Sequence, residues 1–330
     1  MEVKKAFWKN RSVLVTGGSG FVGYWLASTL ASYGSKVHVL DPCPLPSFSV
    51  IKGLSPKKLS YHKGVSTQSA LVTKLLREHK IQTIFHLGAE AIVSRANAKP
   101  AHALTRNIQG TWVLLEAARS TPVTEVVVAS TDHAYGQHTK LPFREDYALR
   151  GEYPYDVSKS CTDLITRMYA KTYGLPTVIA RCGNIYGGGD MNGTRLIPDA
   201  LRVLHKEDVF SVRSSGKFLR EYVYITDAVS AYIALAEQLQ LKQLHGEAFN
   251  FAAGKPLSVL GVLDMLGATA KKPLRYEVLN TARHEILNLS LDATKARRTL
   301  GWKPNVDHKR GLALTERWYR DYFTQGGKLQ

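Results

Sequence analysis

Cysteine is scarce in this chain: Cys43, Cys161 and Cys182 are the only three among 330 residues, and no C-x-x-C occurs. An odd number without that spacing argues against a disulfide framework and fits a reducing, cytoplasmic setting. No stretch approaches 18 consecutive apolar residues, so no membrane span is expected. The opening MEVKKAFWKNRSVLVTGG reaches Gly17 after only a very short apolar run, unlike a signal peptide. Low-complexity segments, internal repeats and flexible linkers are likewise missing. With 44% hydrophobic and 22% charged residues, the composition is that of an ordinary globular protein and excludes a disordered one.

Acidic residues are also in short supply, 27 against 44 Lys and Arg, which leaves a formal charge of +17. The excess is spread along the chain: 19 basic and 9 acidic residues fall in 1–150, and 25 and 18 in 151–330. Its densest clusters are pairs such as Lys57-Lys58 and Arg297-Arg298. A nucleic-acid footprint concentrates charge beside a reading motif, so no nucleic-acid partner is expected. An anionic substrate would benefit from such a field.

What is present is a strand–helix alternation. Ser12–Thr16, Lys36–Leu40, Thr83–Leu87, Glu125–Ala129 and Thr177–Arg181 read as strands. Phe21–Tyr33, Ser69–His79, Ala103–Arg119 and Tyr155–Tyr173 read as helices between them. That succession predicts an α/β fold, a Rossmann-type doubly wound parallel sheet with helices on both faces. After about Gly187 the rhythm becomes irregular, with helices near 196–206, 226–241, 292–299 and 309–323. The expected organisation is a dinucleotide-binding domain over 1–186 and a smaller mixed α/β substrate lobe over 187–330, whose late segments can return to the main sheet.

Two motifs carry chemistry. Gly17, Gly20 and Gly23 follow the first strand directly and open the first helix. Their spacing suits a tight turn, close approach to a pyrophosphate, and close helix–strand packing. The helix N-terminus then faces the phosphates. Asp41 ends the second strand, where a carboxylate accepts from ribose hydroxyls and repels a 2′-phosphate, which favours NAD over NADP. Tyr155 and Lys159 stand one helical turn apart on one face. The ammonium and a cationic nicotinamide are expected to lower the tyrosine pKa towards that of a general base. Thr131, in the S-T-D-H segment leaving the carboxyl edge of the sheet, is placed to hydrogen-bond the hydroxyl that Tyr155 deprotonates.

With these motifs the chain resembles the extended short-chain dehydrogenase/reductases that act on nucleotide sugars. The resemblance runs from TGGSGFVG through HLGAEAIVS, STDHAYG, YDVSK and RCGNIYGGGD to REYVYITDAV and the LGWKP tail. Within that family the likeness is greatest to the CDP-glucose 4,6-dehydratase group. It implies tightly held NAD, no metal, a nucleotide-sugar substrate and a homodimer. It adds Phe21, Val22, Leu87, Ala89 and Asn107 to the cofactor contacts, and Asn184, Arg195, Arg220 and Arg283 to those of the sugar-nucleotide diphosphate. Glu90 replaces a glutamine common in relatives and is expected to support the site rather than react. Leu300 and Trp302 are expected to pack the last helices.

In this family a 4-epimerase and a 4,6-dehydratase begin alike, with oxidation at the sugar's C4. The dehydratase then needs an acid for the C6 oxygen and a base for the C5 proton. Asp132, directly after Thr131, matches the position where dehydratases carry the acid, and favours dehydration. His133 departs from the Glu or Lys of relatives and reads equally as the C5 base or as a residue orienting Asp132. Relatives also carry carboxylates after the third strand that contact adenine. Here Lys63-Gly64-Val65-Ser66-Thr67 has none, so adenine recognition is expected to rest on backbone groups. The alternatives kept open are an NAD-dependent 4-epimerase and, from another class, a non-catalytic nucleotide- or nucleic-acid-binding protein on the same fold.

Overall fold

The β-branched run Ser12–Thr16 is fully buried as the first strand, β1, and ends where Gly17 turns with φ +69°. A computed structural model of the chain describes residues 4–51, 58–281 and 286–329. Six further strands complete one parallel sheet: β2 (Lys36–Asp41), β3 (Ser60–Lys63), β4 (Thr83–His86), β5 (Glu125–Thr131), β6 (Thr177–Cys182) and β7 (Ala248–Phe251). Their order is β7-β6-β5-β4-β1-β2-β3. The direction of winding therefore reverses between β1 and β4, and the crevice beyond their carboxyl ends is the natural ligand position in such a sheet.

Strand alternation divides the core into two layers. Val13, Val15, Val37 and Val39 face one side, where α1 (Phe21–Ser32) and a later helix, Ile225–Gln238, cover them. Leu14, Leu40, Ile84 and Val126 face the other, beneath α2 (Ser69–Glu78) and α3 (Gly110–Arg119). The long helix α4 (Pro154–Tyr173) packs beside α3. It starts with Pro154 in the first turn, where a missing N–H costs nothing, and stops at Gly174 in the left-handed region.

The helix expected over Ala103–Arg119 is interrupted. Pro100–Leu104 is α-helical, Thr105–Gln109 forms a π-helical turn, and α3 follows from Gly110. The wider turn carries Asn107 inward, and Gly110 lets the helix approach the loop after β3, since a Cβ there would lie 2.5 Å from the Ser66 hydroxyl. β5 and β6 each run past their expected ends, to Thr131 and Cys182, which brings Thr131 onto the sheet's carboxyl edge.

The second half of the chain serves both regions. α5 (Leu196–Lys206), α6 (the sheet-covering Ile225–Gln238), α7 (Val259–Ala270) and α8 (His308–Thr324) are its main helices. α6 packs on the sheet and on α1, and β7 pairs in parallel with β6. α7, α8 and α5 pack together with the short parallel pair Phe210–Val212 and Tyr276–Val278. The tail is pinned by Asp227, whose two carboxylate oxygens each accept a 3.0 Å bond, from the Asn305 and Val306 N–H groups. Trp302 is buried against Phe251, edge to face at 4.9 Å, and Leu300 is buried beside it. No helix among the described residues is long and apolar enough to cross a membrane.

Candidate active site

At the switch point the glycine turn is sterically compulsory. A Cβ on Gly17 would lie 2.8 Å from Gly88 after β4, and one on Gly23 would lie 2.2 Å from the Gly17 carbonyl oxygen. Gly20 caps α1 in an extended conformation, so the first N–H groups of that helix point out of the turn. Asp41 lies across from them, buried. Its Oδ2 accepts from Ser19 N–H at 3.1 Å and its Oδ1 from Cys43 N–H at 2.9 Å. Burial raises its pKa and these two bonds oppose that rise. A helix N-terminus, a turn without side chains and a carboxylate at the strand end together suit a dinucleotide pyrophosphate and ribose.

The loop after β3 differs from the expectation in one respect. Val65 N–H bonds Gln68 Oε1 at 2.9 Å, so this amide is already engaged by a side chain. Asn107 is buried and has both ends of its amide occupied. Its Oδ1 accepts from Glu90 N–H at 2.7 Å, and its Nδ2 donates to the Glu90 carbonyl at 3.1 Å and to Ser158 Oγ at 2.8 Å. It ties the loop after β4 to α4 instead of facing the cavity. Glu90 itself accepts from Ile92 N–H at 3.1 Å and shapes that loop.

A cavity of about 620 Å³ opens beside the turn. Its lining includes Val22, Leu87 and Ala89, the residues Thr131, His133, Tyr155 and Lys159, and Asn184, Arg195 and Arg220. Phe21 is half-buried under Gly187 at the same end of α1. Arg283 lies outside the described residues. Arg213, which sequence reasoning did not single out, also lines the cavity. Arg220 keeps its position there but gives three N–H bonds of 2.8–2.9 Å to the carbonyls of Leu219, Ile286 and Leu287. Arg195 caps α5 and pairs with buried Asp190 at 3.2 Å.

Tyr155 and Lys159 point from one face of α4 into the cavity. The Lys159 ammonium donates to the Ala129 carbonyl at 2.9 Å. Burial lowers its pKa to about 8, while the charge of Asp163 one turn further along acts against the fall. In the protein alone the phenol of Tyr155 shifts the other way from the expectation, which included a bound cationic nicotinamide. Burial pushes its pKa up, and the nearby Asp132 adds to the rise; Arg195 and a hydrogen bond with Thr131 act against it. Desolvation of the would-be phenolate outweighs the cations that the protein itself supplies.

Asp132 is buried between the two cavity-lining residues Thr131 and His133, behind the wall. One oxygen accepts from the Thr131 hydroxyl at 2.9 Å, and the other has no partner among the described residues. Burial raises its pKa, with His133, Thr131 and Arg220 opposing. His133 does not orient Asp132. Its Nδ1 lies 2.9 Å from Oδ1 of Asp156, a buried carboxylate, and its ring meets that of Tyr155 edge-on at 5.6 Å. Asp156 escaped sequence reasoning because it is adjacent to Tyr155, and neighbours on a helix face different ways.

A parallel sheet with a glycine turn at its switch point and a Tyr–Lys pair at its carboxyl edge defines a dinucleotide-dependent dehydrogenase-type enzyme. The model of the NAD dependent epimerase/dehydratase family matches residues 13–252, and the chain belongs to that family. It is an enzyme of a family whose cofactor is NAD, which displaces the non-catalytic alternative. The chain is 28% identical to CDP-glucose 4,6-dehydratase of Salmonella typhimurium over 96% of its own length and 93% of the relative's. It is 27% identical to UDP-glucose 4-epimerase of Lactobacillus helveticus, covering 94% and 97%. Among solved structures, dTDP-glucose 4,6-dehydratase from Streptomyces venezuelae, with NAD bound, superposes with a TM-score of 0.84 at 29% identity, covering 95% and 98%.

Proposed function

We propose that this enzyme is a nucleotide-sugar 4,6-dehydratase, with CDP-glucose as the substrate the resemblance favours. The observation that carries the reading is Asp132: a buried carboxyl group, held towards its protonated form, directly beside the Thr131–Tyr155 pair. Such a group is suited to give a proton to a leaving hydroxyl.

When held by the glycine turn, Asp41 and Lys159, NAD would supply the hydride acceptor and donor for the sugar, and its cationic ring would favour the Tyr155 phenolate. Tyr155, as the phenolate, accepts the proton of the 4-hydroxyl, and the Lys159 ammonium on the same helix face favours that phenolate before the transfer. His133 removes the C5 proton through Nε2, the ring nitrogen opposite the one bonded to Asp156. Asp132 protonates the C6 oxygen, which leaves as water. His133 then returns the proton to C5 as C6 is reduced. At that stage Tyr155 holds one extra proton and Asp132 lacks one. The Thr131 hydroxyl donates to Asp132 at 2.9 Å, so it can pass that proton on and take one from Tyr155, which restores the site. Arg195, Arg213, Arg220 and Asn184 supply the cationic and polar wall for the diphosphate.

Incubation with CDP-, dTDP-, UDP- and GDP-hexoses, followed by mass spectrometry, tests the reading. The expected product is lighter by one water. Asp132→Asn is expected to slow elimination roughly 10²–10⁴-fold, the usual scale of a lost general acid, while C4 oxidation persists. Undiminished dehydration by that variant removes Asp132 from the mechanism. One observation favours a 4-epimerase instead: Asp132 is only 2% exposed and sits behind the cavity wall. An epimerase has no use for an acid there, and its product would keep the substrate's mass.

Asp156 acts as a positioning residue for His133. By accepting from Nδ1–H it leaves Nε2 free to take a proton. Asp156→Asn can donate instead and hold the wrong tautomer. The expected result is a fall in kcat with KM nearly unchanged, and a matching slowing of label loss from a C5-deuterated substrate. A change in KM alone would reduce Asp156 to a packing role.

The chain also leaves apolar side chains exposed on the neighbouring helices α3 and α4: Trp112 at 44%, Leu164 at 55% and Met168 at 41%. We read this face as the homodimer surface. Sedimentation at a dimer mass, reduced to a monomer mass by Leu164→Glu, is the expected result; a monomeric wild-type chain would contradict it.

A further inference from the structure

Away from the cavity, three histidines meet on the α2 side of the sheet. His38 is buried in the middle of β2. His62, on β3, stands beside Leu40 in the parallel register, so His38, Leu40 and His62 share one face. His79 follows the last turn of α2, the helix that covers this face, and its ring stacks on that of His38 with centroids 4.1 Å apart. One ring nitrogen from each residue lies within 4.8 Å of the other two. Nδ1 of His38 and Nε2 of His62 are 3.1 Å apart.

Three imidazoles in such proximity share one hydrogen-bonded contact or share an ion. Ligand atoms on a tetrahedral zinc, with bonds of 2.0–2.1 Å, lie roughly 3.3 Å from one another. The His38–His62 separation already has that value within a few tenths of an ångström, and modest ring rotations bring His79 into place. The protonation state also suits a metal. Burial, and then the two neighbouring rings, holds the pKa of His38 down to about 4. Burial and His79 lower that of His62, with Glu78 opposing. An imidazole must be neutral to offer a lone pair to a metal, and both shifts run in that direction.

We propose that His38, His62 and His79 bind a divalent transition ion of the zinc class through three imidazole nitrogens. The fourth position falls to water or to the nearby Glu78 carboxylate, which now makes a 3.8 Å exposed pair with Lys74. Imidazole donors select zinc, cobalt, nickel or copper; magnesium and calcium require oxygen ligands. The ion would join β2, β3 and the end of α2. It is remote from Tyr155 and Asp132, so this inference stands independently of the reaction proposed above.

The test uses the untagged full-length protein, stripped with a chelator and titrated with Zn²⁺ and, separately, Co²⁺. One ion per chain is expected, with the intense visible bands of tetrahedral Co²⁺ and a rise in melting temperature on saturation. His62→Gln and His79→Gln, at half-buried positions that spare the core, are checked for folding by circular dichroism. Each should weaken binding by more than the roughly 10–100-fold that follows loss of an outer-sphere partner, and abolish the thermal shift. Absence of binding overturns the proposal. So does binding that survives unchanged in both variants, which would place the ion elsewhere.

Discussion

Tyr155→Phe is expected to lower turnover by roughly 10²–10⁴-fold, the usual range for losing a general base, without unfolding the protein. The ring of Tyr155 packs against Ala96 and Ala103 and is only 8% exposed, and phenylalanine fills the same volume. What disappears is the hydroxyl. That atom is the site's acceptor for the 4-hydroxyl proton, so C4 oxidation itself should stall. The diagnostic is single-turnover absorbance of reduced cofactor, which should fail to appear, while calorimetric binding of NAD persists. Tyr155→Phe and Asp132→Asn then separate the two half-reactions: the first blocks oxidation, the second permits it and blocks elimination. Turnover unchanged in Tyr155→Phe would remove the tyrosine from the chemistry of either reaction, dehydration or epimerisation.

Asp163→Asn should be the most damaging conservative change to stability. Asp163 lies two turns beyond Tyr155 on the same helix face and is fully buried, as is its partner Arg181 on β6, with 2.6 Å between Oδ2 and Nε. Arg181 also donates to the Tyr135 hydroxyl at 2.7 Å, which donates at 2.7 Å to Asn250 on β7. One network therefore connects α4, β6, the short helical turn after β5 and the edge strand. Removing one charge from a buried pair leaves the other uncompensated, at a cost of about 3–5 kcal/mol, read as a lower denaturant midpoint. There is a second readout. Asp163 is the group that opposes the fall in the Lys159 pKa to about 8. Without it the ammonium loses its proton at lower pH, and the alkaline limb of the activity profile should move towards neutrality. An unmoved midpoint would mean that the surrounding hydrogen bonds, not the ion pair, hold this network.

The strand–helix succession of a doubly wound sheet, the dinucleotide turn and the Tyr–Lys pair were legible because each is a local pattern. Gly17, Gly20 and Gly23 are set by backbone sterics within seven residues, and Tyr155 and Lys159 by one turn of helix. What escaped notice depends on contacts between distant segments. Asp156 matters because His133, 23 residues earlier, folds against it. Asn107 looked like a cofactor contact, but it faces Glu90 and Ser158 through a π-helical turn that apolar periodicity does not announce. Arg220 reads as a free diphosphate ligand until the carbonyls at 286 and 287 come beside it. The sign of the Tyr155 shift is a matter of how much water the fold excludes, and residue types alone do not state that. α7 was missed because Val259–Ala270 is apolar on nearly all sides and contains two glycines, so it lacks a clear polar face.

The seventh strand has a bearing on how the chain is made. β7 is drawn from residues 248–251, more than sixty positions after β6 ends at Cys182. While the ribosome is still synthesising that interval, β6 presents a row of unsatisfied amides and carbonyls along its outer side, and the Tyr135 hydroxyl has yet to meet Asn250. An unpaired strand of that kind readily pairs with another chain. The nascent polypeptide is thus exposed to self-association along this edge from the emergence of β6 until residues 248–251 have followed it.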